Sequence, residues 1–230
     1  MCVLMLVALS YAFKSRPSRF GSRSTTQSSR LRASDLESIS SAFTNLLSPS
    51  RKTPVIAVEE LKEKICSLAK GTSNGIKASD EIRSEINKAV TQLEKASKSS
   101  GKLTSSPLLD GSWRLVYTEN GGSSAGKLGP FVGEVIQDVD LAAENYVNYV
   151  RLPLFEGALT ATWDELPKNK WLVQFQSIKF SVFGIKVKEQ PLTAVGTWRF
   201  TYVDQDLRVL YASGGKNTVK ENLFVLEKAN

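Results

Sequence analysis

From Gly111 onward the chain reverses direction every few residues. Runs with period-2 apolar alternation at 112–118, 133–140, 145–152, 157–165, 170–178, 182–189, 195–203, 206–212 and 222–228 are separated by turn chemistry. The turns carry Gly121-Gly122, Glu144-Asn145, Glu156-Gly157, Pro167-Lys168-Asn169, Gly184, Asp204-Gln205-Asp206 and Gly214-Gly215. In the first run Trp113, Leu115 and Tyr117 fall on one face and Arg114, Val116 and Thr118 on the other. Leu159/Ala161/Trp163, Trp171/Val173/Phe175 and Trp198/Phe200/Tyr202 repeat the alternation. The intervals leave no room for crossover helices, so the strands pair by hairpins. Residues 107–230 are therefore expected to form a mainly β domain, an antiparallel up-and-down barrel of eight to nine strands. A barrel of that size either holds one small apolar ligand or is filled by its own side chains.

Residues 35–106 read as a helical region. Residues 35–47 are expected to form a short helix ended before Ser48-Pro49. After Thr53-Pro54, Val58, Leu61, Ile65 and Leu68 recur at helical spacing, and that helix stops at Gly71. Ser79 then reads as an N-cap, with Asp80 and Glu81 in the first turn, and Ile82, Ile86, Ala89, Val90 and Leu93 form a second stripe. A helical hairpin of this kind must bury its stripe, either against the barrel or at a membrane surface. Its polar faces mix Glu with Lys, which favours packing on the barrel over a membrane-surface role.

The net charge is +7, yet six cations (Lys14, Arg16, Arg19, Arg23, Arg30 and Arg32) precede the first acidic residue, Asp35. They leave a nearly neutral body without a visible basic face, so nucleic acid is not an expected partner. Residues 1–12 read as a signal peptide: Val3 to Leu9 is apolar but too short to span a bilayer, and Ser10-Tyr11-Ala12 offers small residues for cleavage. Residues 13–34 are rich in Ser, Thr and Arg and free of acid, the composition of an organelle transit segment. A signal, then Phe13, then a basic Ser-rich stretch resembles the bipartite presequence of proteins sent to complex, red-lineage plastids. The alternative is an ordinary signal peptide followed by a basic spacer.

Histidine is absent, which removes Ser-His-Asp triads, Cys-His pairs, imidazole acid/base work and His-bound metals. Cys2 leaves with the leader and Cys66 has no partner in the chain, so Cys66 reads as a small packed side chain. No cofactor or metal is expected. Gly121 to Lys127 matches a phosphate-cradling loop in all but its last position. Leu128 stands there in place of a Mg²⁺ ligand, and Gly129-Pro130 prevents the helix such a loop needs. A flexible loop at the barrel mouth is the better reading. Asp164 and Glu165 are adjacent on a strand, hence on opposite faces, and are expected to be solvated.

Gly196-Thr-Trp-Arg-Phe-Thr-Tyr-Val-Asp-Gln-Asp-Leu-Arg208 followed by Asn222-Leu-Phe-Val-Leu-Glu227 resembles the closing hairpins of the plastid lipid-associated proteins, the fibrillins or plastoglobulins. The opening Leu109-Asp-Gly-Ser-Trp-Arg-Leu-Val-Tyr-Thr118 and the loop at 71–75 are similar to that family's, so the resemblance covers roughly residues 55 to 228. It departs at Leu210-Tyr211, where the family usually carries a second Arg. The resemblance implies a lipocalin-like barrel in the plastid, non-enzymatic, peripheral to plastoglobules or thylakoids, that binds or organises prenyl-lipids, carotenoids or fatty acids. A lipocalin-type enzyme, or an assembly factor docking on a thylakoid protein through its helices, are the competing readings. Candidate lining residues are Trp113, Leu115, Tyr117, Phe131, Trp163, Phe175, Trp198, Phe200 and Tyr202, each equally compatible with core packing. Arg208 is expected to stack on Trp113 and close the barrel floor, or to grip a carboxylate headgroup.

Overall fold

The computed structural model describes residues 54–97, 101–214 and 220–229; the presequence and the expected helix at 35–47 lie outside them. Two helices, α1 (Pro54–Ala69) and α2 (Asp80–Ala96), precede the strands β1 (Gly111–Thr118), β2 (Lys127–Leu128), β3 (Phe131–Val132), β4 (Glu134–Asp140), β5 (Asn145–Arg151), β6 (Phe155–Leu166), β7 (Lys170–Val182), β8 (Ile185–Pro191), β9 (Val195–Val203), β10 (Leu207–Gly214) and β11 (Asn222–Lys228). Eight of them close into an antiparallel barrel in the order β1-β4-β5-β6-β7-β9-β10-β11. The mainly β barrel expected from the alternation is thus the fold, lipocalin-like in architecture.

Strand β7 is longer than its alternation suggested; β6 pairs with it along its whole length, and its other edge serves two neighbours. Its first half, from Lys170 to Gln174, pairs with β9 and closes the barrel. Its second half, from Ser177 to Val182, leaves the barrel and pairs with β8. Phe183 and Gly184 join the two, both with positive φ (50° and 76°), as a two-residue hairpin turn of this twist requires. Strand β8 is therefore a flap outside the barrel, not a stave.

The wall made of β9, β10, β11 and β1 is apolar on both sides. Leu207 to Leu210 are all buried, with no alternation, because α1 and α2 cover the outer face. Ile65, Ile86, Ala89, Val90 and Leu93 pack there against Leu207, Val209, Leu223 and Val225. Ser79 caps α2 by accepting the Ile82 amide at 3.3 Å. Lys62 fixes α1 to the β9–β10 turn through Asp204 (2.8 Å) and Asp206 (2.9 Å). Burial alone would push the Asp204 carboxyl up. Hydrogen bonds from Lys62, Tyr202 and the Leu207 and Asp206 amides outweigh it and hold the group below its usual range.

The α1–α2 loop clamps the end of the barrel where β1 finishes. Asn74 stands at φ 58°, its side-chain amide donates to the carbonyls of Ala125 and Gly133, and its own carbonyl accepts the Thr118 amide. Gly75, at φ 92°, lies so close to β1 that a Cβ there would stand 2.2 Å from the Thr118 carbonyl oxygen. Gly71 also has positive φ but faces open space. Gly75→Ala should therefore lower unfolding free energy by more than about 2 kcal/mol, and Gly71→Ala by about 1 kcal/mol, in urea titrations.

Because Asp204 is held low in the folded state, its contribution is present above the ordinary aspartate range, about pH 4, and is lost as pH falls through its folded value. Asp204→Asn should cost about 1 kcal/mol at pH 7, with the gap to wild type narrowing as pH falls below about 4, measured by thermal melts across that range.

Candidate functional site

The bore of the barrel has a sealed end and a more open one. At the sealed end the segment from Leu103 to Leu109 crosses the floor in two short 3₁₀ turns, with Leu103 and Leu109 buried in the barrel core. Asn169 in the β6–β7 turn accepts the Leu103 amide, and Glu165 ties the segment down through Thr104 and Lys102. Glu165, expected to be solvated, is thus a structural anchor, while Asp164 accepts from Gln174. The Trp113 indole donates to the Leu109 carbonyl at 2.9 Å.

Above the floor, aromatic rings line the bore. Trp163 and Trp171 stack at 4.1 Å with an 8° tilt, Phe200 meets Trp171 edge-on at 4.6 Å, and Tyr146 lies 4.7 Å from Trp198. Toward the opposite end the lining changes to Val150, Phe175, Ala212 and Phe224, packed on this core but only half-buried. Of the expected lining residues, Trp113, Leu115, Trp163, Trp198 and Phe200 thus sit in the bore, and Phe175 borders it.

Three expected residues lie elsewhere. Tyr117 and Tyr202 belong to the core between barrel and helices. A bulge between Leu115 and Tyr117 shifts the pairing from Leu115↔Leu226 to Tyr117↔Val225, and a second offsets Val209↔Tyr202 from Leu210↔Phe200. Each inserts one residue, so the next side chain in the alternation leaves by the outer face. Tyr202 gains a polar partner there, donating to Asp204. Phe131 is 63% exposed, because β2 and β3 form a separate two-stranded hairpin off the barrel. That hairpin ends the near-match to a phosphate loop: Gly126 turns the chain at φ 80° into β2, where a phosphate site needs a helix.

Arg208 is fully buried in the bore, its guanidinium 4.8 Å from the Trp113 ring centre. One nitrogen donates to Gln137 Oε1 at 2.5 Å, while Nε and Nη1 meet no acceptor. Burial pulls its pKa down to about 9, which leaves a cation at neutral pH. Lys228 approaches the same indole at 4.6 Å and is held below its usual range by burial and by Arg208. The Tyr146 hydroxyl and the Trp171 Nε1 are also buried without a partner. Burial pushes the Tyr146 phenol well above its usual value, so it is neutral.

At the open end a second feature escaped sequence reasoning. Leu154, Phe155, Phe183, Ile185 and Val187 are large, apolar and between 47% and 74% exposed. They are neighbours: the Phe183 amide donates to the Leu154 carbonyl at 2.9 Å, Phe155 pairs with Val182, and Val182 with Ile185. Lys186 and Lys188 alternate with Ile185 and Val187 along β8. Among the described residues no cluster of metal ligands occurs and no helix is long and apolar enough to cross a membrane, which says nothing about strands. Cys66, on α1, is half-buried, and burial raises its thiol pKa.

Closed barrel, helical brace and aromatic bore together define a lipocalin-like protein. The PAP_fibrillin family model matches residues 59–183, and the chain belongs to that family. It is 31% identical over 118 residues to the chromoplast-specific carotenoid-associated protein C1 of an Oncidium hybrid cultivar, covering 46% of this chain and 34% of that protein. Against the probable plastid-lipid-associated protein 3 of Oryza sativa subsp. japonica it is 26% identical over 226 residues, 74% of this chain and 59% of the relative. A light-induced chloroplastic protein of Solanum tuberosum is 34% identical over 111 residues, 46% of this chain and 33% of the relative. The chain thus spans between a third and three fifths of these relatives' lengths.

The placements separate structural from peripheral aromatics. Trp171→Ala should cost about 3–5 kcal/mol, as large core truncations do. Phe131→Ala, at an exposed position, should stay within about 0.5 kcal/mol of wild type; urea unfolding followed by tryptophan fluorescence measures both.

Proposed function

We propose that this chain is a non-enzymatic plastid lipid-associated protein that binds or organises prenyl-lipids, carotenoids or fatty acids at the surface of plastoglobules or thylakoids. The names of its relatives, carotenoid-associated and plastid-lipid-associated, support the ligand class and the compartment. The composition of residues 1–34 supports delivery to a complex red-lineage plastid by a bipartite presequence.

One observation carries the surface role: the five exposed apolar side chains at the tip formed by the β5–β6 and β7–β8 turns and by β8. Water meets all five, and Ile185 and Val187 stand on the edge strand β8, whose outer side pairs with nothing among the described residues. Seating that tip among acyl chains removes its apolar surface from water at roughly 25 cal/mol per Å². Lys186 and Lys188, exposed beside it, are placed to reach anionic headgroups, each contributing about 1 kcal/mol near such a surface. Contact at the tip also brings the half-buried apolar end of the bore toward the lipid phase. The protein then holds an apolar molecule by burial alone, without a reacting group.

Flotation with droplets of triacylglycerol coated by a phospholipid monolayer containing an anionic lipid measures this. Phe183→Ser with Ile185→Ser should reduce the floated fraction roughly tenfold, with the melting temperature unchanged. Val55→Ser, at an equally exposed residue of α1, should leave it intact. Equal flotation of the wild type and both variants would contradict the proposal.

A further inference from the structure

The floor of the bore presents more donors than acceptors. A guanidinium has five N–H groups in one plane. Stacking on Trp113 occupies the face of that plane and leaves its edge free. Gln137 takes one edge position, and Nε and Nη1 point into an apolar interior with nothing to receive them. The described residues form no ion pair between Arg208 and any carboxylate. The second cation beside the indole, Lys228, donates instead to the Asp110 carbonyl. Tyr146 adds an unpartnered hydroxyl in the same core cluster as Trp113, the ring on which Arg208 lies. Trp171 contributes a further unpartnered N–H to the same core.

Floor closure by cation–π stacking accounts for the position of Arg208 but not for its free edge. An apolar residue would seal the floor without burying a charge, whereas an arginine retains in-plane donors that need an acceptor. Arg208 Nε and Nη1, with Tyr146 Oη, suit a planar anion that accepts two or three hydrogen bonds. Apolar and aromatic walls around these donors select an anion carried on an apolar body.

We propose that the bore floor is a carboxylate-binding subsite in which Arg208 and Tyr146 hold the headgroup of an apolar acid whose chain extends toward Phe175 and Phe224. This deepens the lipid-binding reading by naming the headgroup, and it is testable without a lipid surface. Titrations of the full chain with decanoate, methyl decanoate and decanol, each below its aggregation limit and followed by tryptophan fluorescence, compare one chain with three headgroups.

Decanoate should bind at least tenfold more tightly than the ester or the alcohol. Arg208→Met should abolish that preference while keeping ester binding, and Tyr146→Phe should reduce the preference about threefold. Should Arg208→Met fail to fold, Arg208→Lys, which keeps the charge but not the fork, should lower the preference. Equal affinity for acid and ester, or an acid preference that survives these changes, overturns the subsite. Binding of none of the three means that the floor holds water alone, and it overturns the subsite even where the droplets still float with the protein.

Discussion

One sheet wall in this molecule is buried on both faces, and the rest of the architecture follows from that. Strands β9, β10, β11 and β1 present Trp113, Phe200, Leu210 and Leu226 to the bore and Tyr117, Tyr202, Val209 and Val225 to the helices. Without α1 and α2 the outer face would be an oily sheet in water, and without closure through β7 the inner face would be the same. The two bulges let a wall of short strands serve two cores, since each moves one aromatic from the bore to the brace. The Gly75 and Asn74 contacts then hold the helical pair in register with β1.

The same division separates stability from function. Beneath the helices, hydrogen-bonded and ionic partners surround the polar groups that fix the brace: Lys62 sits among Asp204, Asp206 and Glu59, and Tyr202 donates to Asp204. At the floor of the bore Arg208, Tyr146 and Trp171 keep four donors without partners, against the Tyr117 hydroxyl and Glu94 Oε1 on the helix side. Buried polar groups are ordinarily satisfied, so unsatisfied donors gathered in one interior point to something that occupies it. The exposed tip breaks the ordinary pattern in the opposite sense, with apolar side chains where water is.

Much of the fold was legible because period-2 alternation and turn residues are local signals. Strand count, antiparallel pairing and the two helices were readable from spacing, whereas the stacking of Arg208 on Trp113 was an expectation set beside the family resemblance. The faces of Tyr117 and Tyr202 were not, because a bulge adds one residue without leaving a sequence mark. Phe131, expected among the lining residues, lies instead in a two-stranded hairpin off the barrel, paired with Leu128. Ile185 and Val187 looked like an ordinary half-buried strand, and only the departure of β7 from the barrel shows that nothing covers them. Unpartnered donors at the floor depend on which atoms meet across four strands, and no spacing rule encodes that.

Hydrogen–deuterium exchange of the protein on lipid droplets, compared with the protein in buffer, tests the central claim most directly. The account predicts protection confined to the segments around Leu154-Phe155 and from Phe183 to Val187, with exchange in α1 and α2 unchanged. Protection of the helices, or of no segment while the protein remains bound, would contradict it.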